Sequence, residues 1–244
     1  MKILTLESSS ISASVCVTDD TKLLAQSFQN CGMTHSATLL PMIDHVMTAS
    51  RLTMDDIDAV ACVTGPGSFT GIRIGIATAK GIADGKNLPC IGVSSMVGNA
   101  WNVGPLTNRL ICPVMDARRQ QLYNALFEFS DGTLHRLTPD RLIQMEDLKK
   151  ELISYGKSVI LVGDGAQMCY NNFTVSSDLD CITAPPGLMY PCAHGAAMEA
   201  HRLAQEGQLV SAAQLMPSYL RQPQAVRERL ARESGQTAQS TKKE

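Results

Sequence analysis

No stretch of this sequence approaches the roughly 18–20 uninterrupted apolar residues that a bilayer span requires. Its opening, Met1-Lys2-Ile3-Leu4-Thr5-Leu6-Glu7, meets a carboxylate and then three serines, too soon for the apolar core of a signal peptide. Eight cysteines are present but none forms a C-x-x-C pair, and most lie in apolar runs such as Val15-Cys16-Val17 and Ala61-Cys62-Val63. They read as small core residues of a reducing compartment rather than as a disulfide frame. A cytoplasmic location without membrane contact is the expectation. Charge is scarce and balanced: 18% of residues are charged and the formal net charge is −2. That argues against the basic footprint with which strong, autonomous nucleic-acid binders neutralise phosphates. Arg118, Arg119, Arg221 and Arg227 remain as cations that can approach RNA, with ordinary exposed charge the stronger reading at this net charge. Neither H-E-x-x-H nor the G-x-S-x-G elbow of a serine hydrolase occurs.

What is present is apolar material: 44% of 244 residues, enough for one large domain or two small ones at about 100–200 residues each. Residues 3–6, 12–17 and 23–28 have the patterning of three short strands, with a turn at Asp19-Asp20-Thr21. Leu39, Leu40, Ile43, Val46 and Met47 then set a helical period over 35–50. Residues 59–64 form a continuous apolar run of the kind buried on both faces. A helix over about 69–84, a strand over 89–93 and a helix capped by Ser94 follow, an order that implies a partly parallel sheet covered by helices. After Gly104-Pro105 the opening pattern recurs, with Leu110 to Met115 ending at the carboxylate Asp116 as the first strand ends at Glu7. The expected division is therefore 1–104 and a smaller 105–223, with a charged, Ser/Thr/Gln/Lys-rich tail over 224–244 expected to be disordered.

The most specific stretch is Gly65-Pro66-Gly67-Ser68-Phe69-Thr70-Gly71-Ile72-Arg73-Ile74-Gly75. Two glycines around a proline make a tight turn directly off a buried strand, and Ser68 or Thr70 is placed to cap the helix that follows. Gly71, Gly75, Ala79 and Ala83 recur every four residues as one smooth ridge, with Ile72, Ile76 and Ile82 assigned to another face. An interior helical glycine costs roughly 1 kcal/mol against alanine, so two of them need a close neighbour to justify them. Phosphate binding ranks third, because no Lys-Ser or Lys-Thr completes a P-loop and Thr70 stands where G-x-G-x-x-G needs its last glycine. Spacing alone leaves packing on the chain's own core and docking of a partner level.

This stretch resembles the signature of the TsaB (formerly YeaZ) family, bacterial subunits of tRNA threonylcarbamoyladenosine synthesis. Ile3-Leu-Thr-Leu-Glu-Ser-Ser-Ser10, His35-Ser36 with Leu39-Leu40-Pro41-Met42-Ile43, Asp116-Ala117-Arg118-Arg119 with Tyr123, and Pro217-Ser218-Tyr219-Leu220-Arg221 are similar to further family segments in the same order. The resemblance implies an actin/Hsp70-like (ASKHA) α/β fold of two RNase H-like subdomains, with mixed sheets flanked by helices. It implies a non-catalytic subunit that binds a TsaD-like paralogue, which modifies adenosine 37 of tRNAs reading ANN codons, together with a TsaE-like ATPase. ATP and Mg would then serve the complex as a whole, with no cofactor or metal held by this chain, and tRNA would be met through the complex. It tips the level choice toward docking, with an interface at Gly65, Pro66, Gly67, Ser68, Phe69, Thr70, Gly71, Arg73, Gly75, Ala79 and Ala83. A homodimer through the same ridge is compatible with it.

Glu7-Ser8 stands where the family often carries Asp-Thr, so Glu7, Ser8 and Asp116 mark at most a vestigial nucleotide loop. The competing reading is a nucleotide- or metal-using enzyme of the same superfamily acting alone. Against it, the histidines at 35, 45, 135, 194 and 201 make no His-x-x-x-His pair of the TsaD type.

Overall fold

The computed structural model describes residues 1–175 and 179–221; the tail at 224–244 and Arg227 lie outside the described residues. Two mixed sheets organise the chain. In the first, β1 (Lys2–Glu7), β2 (Ala13–Asp19) and β3 (Lys22–Gln29) form an antiparallel meander, and β4 (Ala59–Gly65) and β5 (Cys90–Ser94) extend it in parallel. The order is β3-β2-β1-β4-β5, with Leu6 opposite Cys62 and Val60 opposite Cys90. The parallel pairs need crossovers, supplied by α1 (His35–Ser50) and α2 (Phe69–Lys86).

The second sheet repeats the plan. Its strands are β6 (Leu110–Asp116), β7 (Gln121–Asn124), β10 (Arg141–Gln144), β11 (Val159–Val162) and β12 (Cys181–Thr183), in the order β10-β7-β6-β11-β12. A hairpin of β8 (Phe127–Ser130) and β9 (Thr133–Arg136) attaches to β6. Ala125 and Leu126 are buried between β7 and β8. α4 (Met145–Tyr155) and α5 (Ala166–Phe173) cover one face.

The remaining face of each sheet is covered by the last helix of the other half. α3 (Ser95–Val103) sets Met96, Ala100 and Val103 against Ile111, Met115 and Ile160 of the second sheet. α6 (Ala193–Gln205) lays Ala196 and Ala200 on Ile3, Ala59, Ala61 and Val63 of the first. Beyond α6 the chain stays with the first half, where Val210 bridges to Cys90 and Leu215 enters the core beside β4. The described part of 193–221 therefore packs with residues numbered below 105 as much as with its own half. Among the described residues no helix is long and apolar enough to cross a membrane.

Candidate functional site

The helix α2 shows why the glycine motif is built as it is. Ser68 Oγ accepts from Gly71 N at 3.2 Å, capping the helix, and Ser68 N donates to Ser9 O at 2.7 Å. The turn is thereby fastened to the β1–β2 loop. Gly71, Gly75, Ala79 and Ala83 are all buried, and Ile72 and Ile76 are buried beside them on the same inward face. Ser8 Oγ donates to Gly71 O at 2.9 Å, and a Cβ on Gly71 would run into the Ser8 carbonyl oxygen. A Cβ on Gly75 would meet Ser8 Oγ, and Cys62 Sγ at 3.3 Å.

This corrects the expectation that these four residues meet another protein. They let the chain's own β1–β2 loop lie on the helix, and Gly65 and Pro66 are buried likewise. Of the expected interface, Ser68, Thr70 and Arg73 are exposed, and Gly67 and Phe69 are half-buried. The outward face of α2 carries a second small row that the sequence reading passed over. Ala77, Gly81 and Gly85 are exposed, and a Cβ on either glycine would meet nothing within 4 Å. Beside it, α1 exposes Leu40 at 60% between Ala37 and Asp44, while Leu39, Ile43 and Val46 anchor its other side.

A cleft of about 590 Å³ opens between the halves at the strand ends, lined by Ser9 and Ser10, the Pro66–Phe69 turn, Asp116, Asp164 and Ser218 to Arg221. Its two sides are clasped directly. Ser10 Oγ donates to Asp164 Oδ2 at 2.8 Å, and Asp116 N donates to Asp164 Oδ1 at 3.1 Å. Burial pushes the Asp164 carboxyl up, with the Ser10 and Asp116 hydrogen bonds pulling the other way. The C-terminal strap adds two ties: Ser218 N donates to Thr64 O at 2.8 Å, and Arg221 Nη1 to Ala117 O at 2.8 Å. Tyr219 stacks on Phe69 with centroids 4.9 Å apart, and Arg73 Nε donates to its hydroxyl at 2.9 Å.

Of the three residues read as a vestigial nucleotide loop, only Asp116 reaches this cleft. Ser8 is enclosed beneath α2, and Glu7 is 1% exposed, its Oε1 accepting from Ser9 N at 2.6 Å. Burial raises the Glu7 carboxyl to about 7, against the lowering effect of the Ser9 hydrogen bonds. The strand-end carboxylate at Glu7 is thus a desolvated one. Sequence reading missed Ser10 and Asp164, whose partners lie 154 residues apart in the chain and carry no common motif. Among the described residues no group of three or more His, Cys, Asp or Glu is placed to hold a metal ion.

Comparison with known proteins agrees with this architecture. The family model described as TsaD, tRNA N6-adenosine threonylcarbamoyltransferase, matches residues 29–226. The TsaB protein of Escherichia coli K12, a tRNA threonylcarbamoyladenosine biosynthesis protein, is 29% identical over 91% of this chain and 95% of its own. The chain belongs to the TsaB/YeaZ family. A second TsaB, from Bacillus subtilis 168, is 28% identical over 67% of this chain and 71% of its own length. YeaZ of Pseudomonas aeruginosa superposes with a TM-score of 0.76 at 21% identity, covering 90% of this chain and 99% of that one. The actin-like fold extends to component A of the Acidaminococcus fermentans (R)-2-hydroxyglutaryl-CoA dehydratase, with a TM-score of 0.50 at 13% identity. For a TsaB/YeaZ chain, the glycine signature thus holds the β1–β2 loop against α2, and its outward side is left to α1 and α2 together.

Proposed function

We propose that this chain is a non-catalytic scaffold subunit of the assembly that forms N6-threonylcarbamoyladenosine in tRNA, docking a TsaD-like catalytic paralogue on the outward faces of α1 and α2. The observation that carries this reading is the exposed small-residue row Ala77, Gly81 and Gly85 of α2, with Leu40 exposed on α1, the helix that packs against it. Each exposed glycine lowers helix stability by roughly 1 kcal/mol against alanine, and nothing among the described residues uses the space. Close approach of a second helix would use it. The names of the relatives and the match to the TsaD model support the pathway. Sealing of Glu7 and Ser8 away from the cleft supports a role without chemistry of its own, with ATP and Mg used by the assembly as a whole and a TsaE-like ATPase among its members.

The test is co-expression with the TsaD-like paralogue of the same genome. Gly81→Arg is expected to reduce co-purification at least tenfold while the melting temperature stays within about 3 °C, since the position is open to solvent. Undiminished association of Gly81→Arg, and of Leu40→Glu beside it, would sink the proposed surface.

A further inference from the structure

The turn between β6 and β7 is closed by Ala117 N donating to Gln121 O at 2.9 Å and Gln121 N donating to Arg118 O at 3.1 Å. Arg118, Arg119 and Gln120, between β6 and β7, have φ of +66°, +56° and +59°. Three consecutive non-glycine residues in the left-handed region are disfavoured at each step, and the closure of the hairpin holds them there. The result here is that Arg118 stands exposed at the mouth of the cleft and Arg119 exposed next to it in the chain. Arg118 is 84% exposed and pairs with Asp116 Oδ2 at 3.1 Å. Arg119 makes no ion pair or hydrogen bond among the described residues. On the facing side Arg73 and Arg221 also lack a carboxylate partner among the described residues; Arg73 lies 3.9 Å over the Phe69 ring and Arg221 binds a carbonyl.

The cleft carboxylates offset part of this charge, chiefly that of Arg118, which Asp116 pairs. Asp164 is taken by Ser10 and by Asp116 N, and Asp116 by Arg118 N and its guanidinium. Arg73, Arg119 and Arg221 are thus left without a carboxylate partner among the described residues, Arg73 against the stacked Phe69–Tyr219 pair. Exposed arginines around an aromatic stack suit a phosphate backbone bearing an accessible base. We infer that this rim is an RNA-contacting surface, through which the subunit itself touches the phosphate backbone of tRNA. The inference rests on the reading of the chain as part of a tRNA-modifying assembly, and it assigns that contact to this subunit.

It is tested on the full chain alone, so that the result does not depend on a partner. The probe is a fluorescently labelled, unmodified tRNA transcript, titrated by anisotropy at several salt concentrations. The wild type is expected to bind with an affinity on the order of 10⁻⁵ M at low salt, falling steeply as salt rises. Arg118→Asn with Arg119→Asn removes both charges with a residue that tolerates the left-handed region. This pair should weaken binding at least fivefold and flatten the slope of log affinity against log salt by between about 1 and 2. The double lysine variant should keep most of the slope, and Lys150→Ala on α4, away from the cleft, should change neither. Absence of tRNA binding by the wild type at low salt overturns the inference. So does a slope unchanged in the double Asn variant, or full displacement of tRNA by millimolar ATP, which would assign the rim to a small nucleotide. Loss of the docking surface in co-purification leaves these results untouched and bears only on the assembly.

Discussion

Gly71→Ala is expected to lower the melting temperature by about 6–12 °C, while Gly81→Ala, ten residues along the same helix, raises it. Both substitutions remove one glycine from the interior of α2, and helix propensity alone makes each stabilising by roughly 1 kcal/mol. The surroundings decide the sign. At Gly71 the new methyl enters the position of the Ser8 carbonyl oxygen, a backbone atom in a loop pinned by Ser68 N and by the Ser8 hydroxyl. Relief requires moving the loop and losing hydrogen bonds at about 1–3 kcal/mol each, so a net loss of about 3 kcal/mol is expected. A chain of this size loses about 2–4 °C for each kcal/mol. At Gly81 the methyl meets nothing within 4 Å. Gly75→Arg is the extreme case: it forces a charge between Ser8 and Cys62 and is expected to leave no folded protein, rather than a folded chain unable to bind. Thermal and urea unfolding of the Gly71→Ala and Gly81→Ala pair read the result. Equal shifts of the same sign would show that the inner ridge is not packed as described.

The second large effect concerns pH. Glu7 is wholly buried and its carboxyl is raised to about 7, from 4.5 in the unfolded chain, chiefly by desolvation. A raised carboxyl means that the folded protein prefers the protonated form, so its contribution is fully present below about pH 4.5. As pH rises from there through about 7, the folded chain must either ionise a buried group or hold its proton, and stability falls. With about 1.4 kcal/mol per unit, the loss above pH 7 is about 3 kcal/mol. Glu7→Gln keeps an acceptor for Ser9 N and cannot ionise. It is expected to match the parent near pH 4.5 and to be more stable by about 2–3 kcal/mol at pH 8, measured by urea unfolding across that range. A constant difference between the two proteins at all pH values would remove Glu7 as the titrating group.

Much of the fold was legible because local patterning leaves few alternatives. The apolar run 59–64, the helical period over 35–50 and the Ser94 cap each correspond to an element of the structure, β4, α1 and the start of α3. The recurrence of strand, carboxylate and hairpin after residue 104 corresponds to two sheets of like order. α5 and β12 escaped notice, since helices of 8 residues and strands of 3 carry too little periodicity to stand out.

The site was less legible, and α2 shows the reason. Four-residue spacing determines which side chains share a face, and this helix has two small rows, Gly71-Gly75-Ala79-Ala83 and Ala77-Gly81-Gly85. Nothing local says which row turns inward; that was settled by where the Ser8 carbonyl oxygen comes to lie, on a loop more than sixty residues earlier. The same holds for Glu7, whose carboxyl is raised chiefly by burial in the tertiary structure, against the hydrogen bonds from its neighbour Ser9. It holds again for the cleft, where Ser10 and Asp164 meet across the two halves. By itself, then, the sequence determined the elements, the duplicated plan and the importance of the glycine stretch, because backbone propensity and apolar period act over a few residues. Tertiary structure alone decided the exchange of α3 and α6 between sheets, the clasp across the cleft and the side of α2 left exposed, because each depends on contacts between segments far apart in the chain.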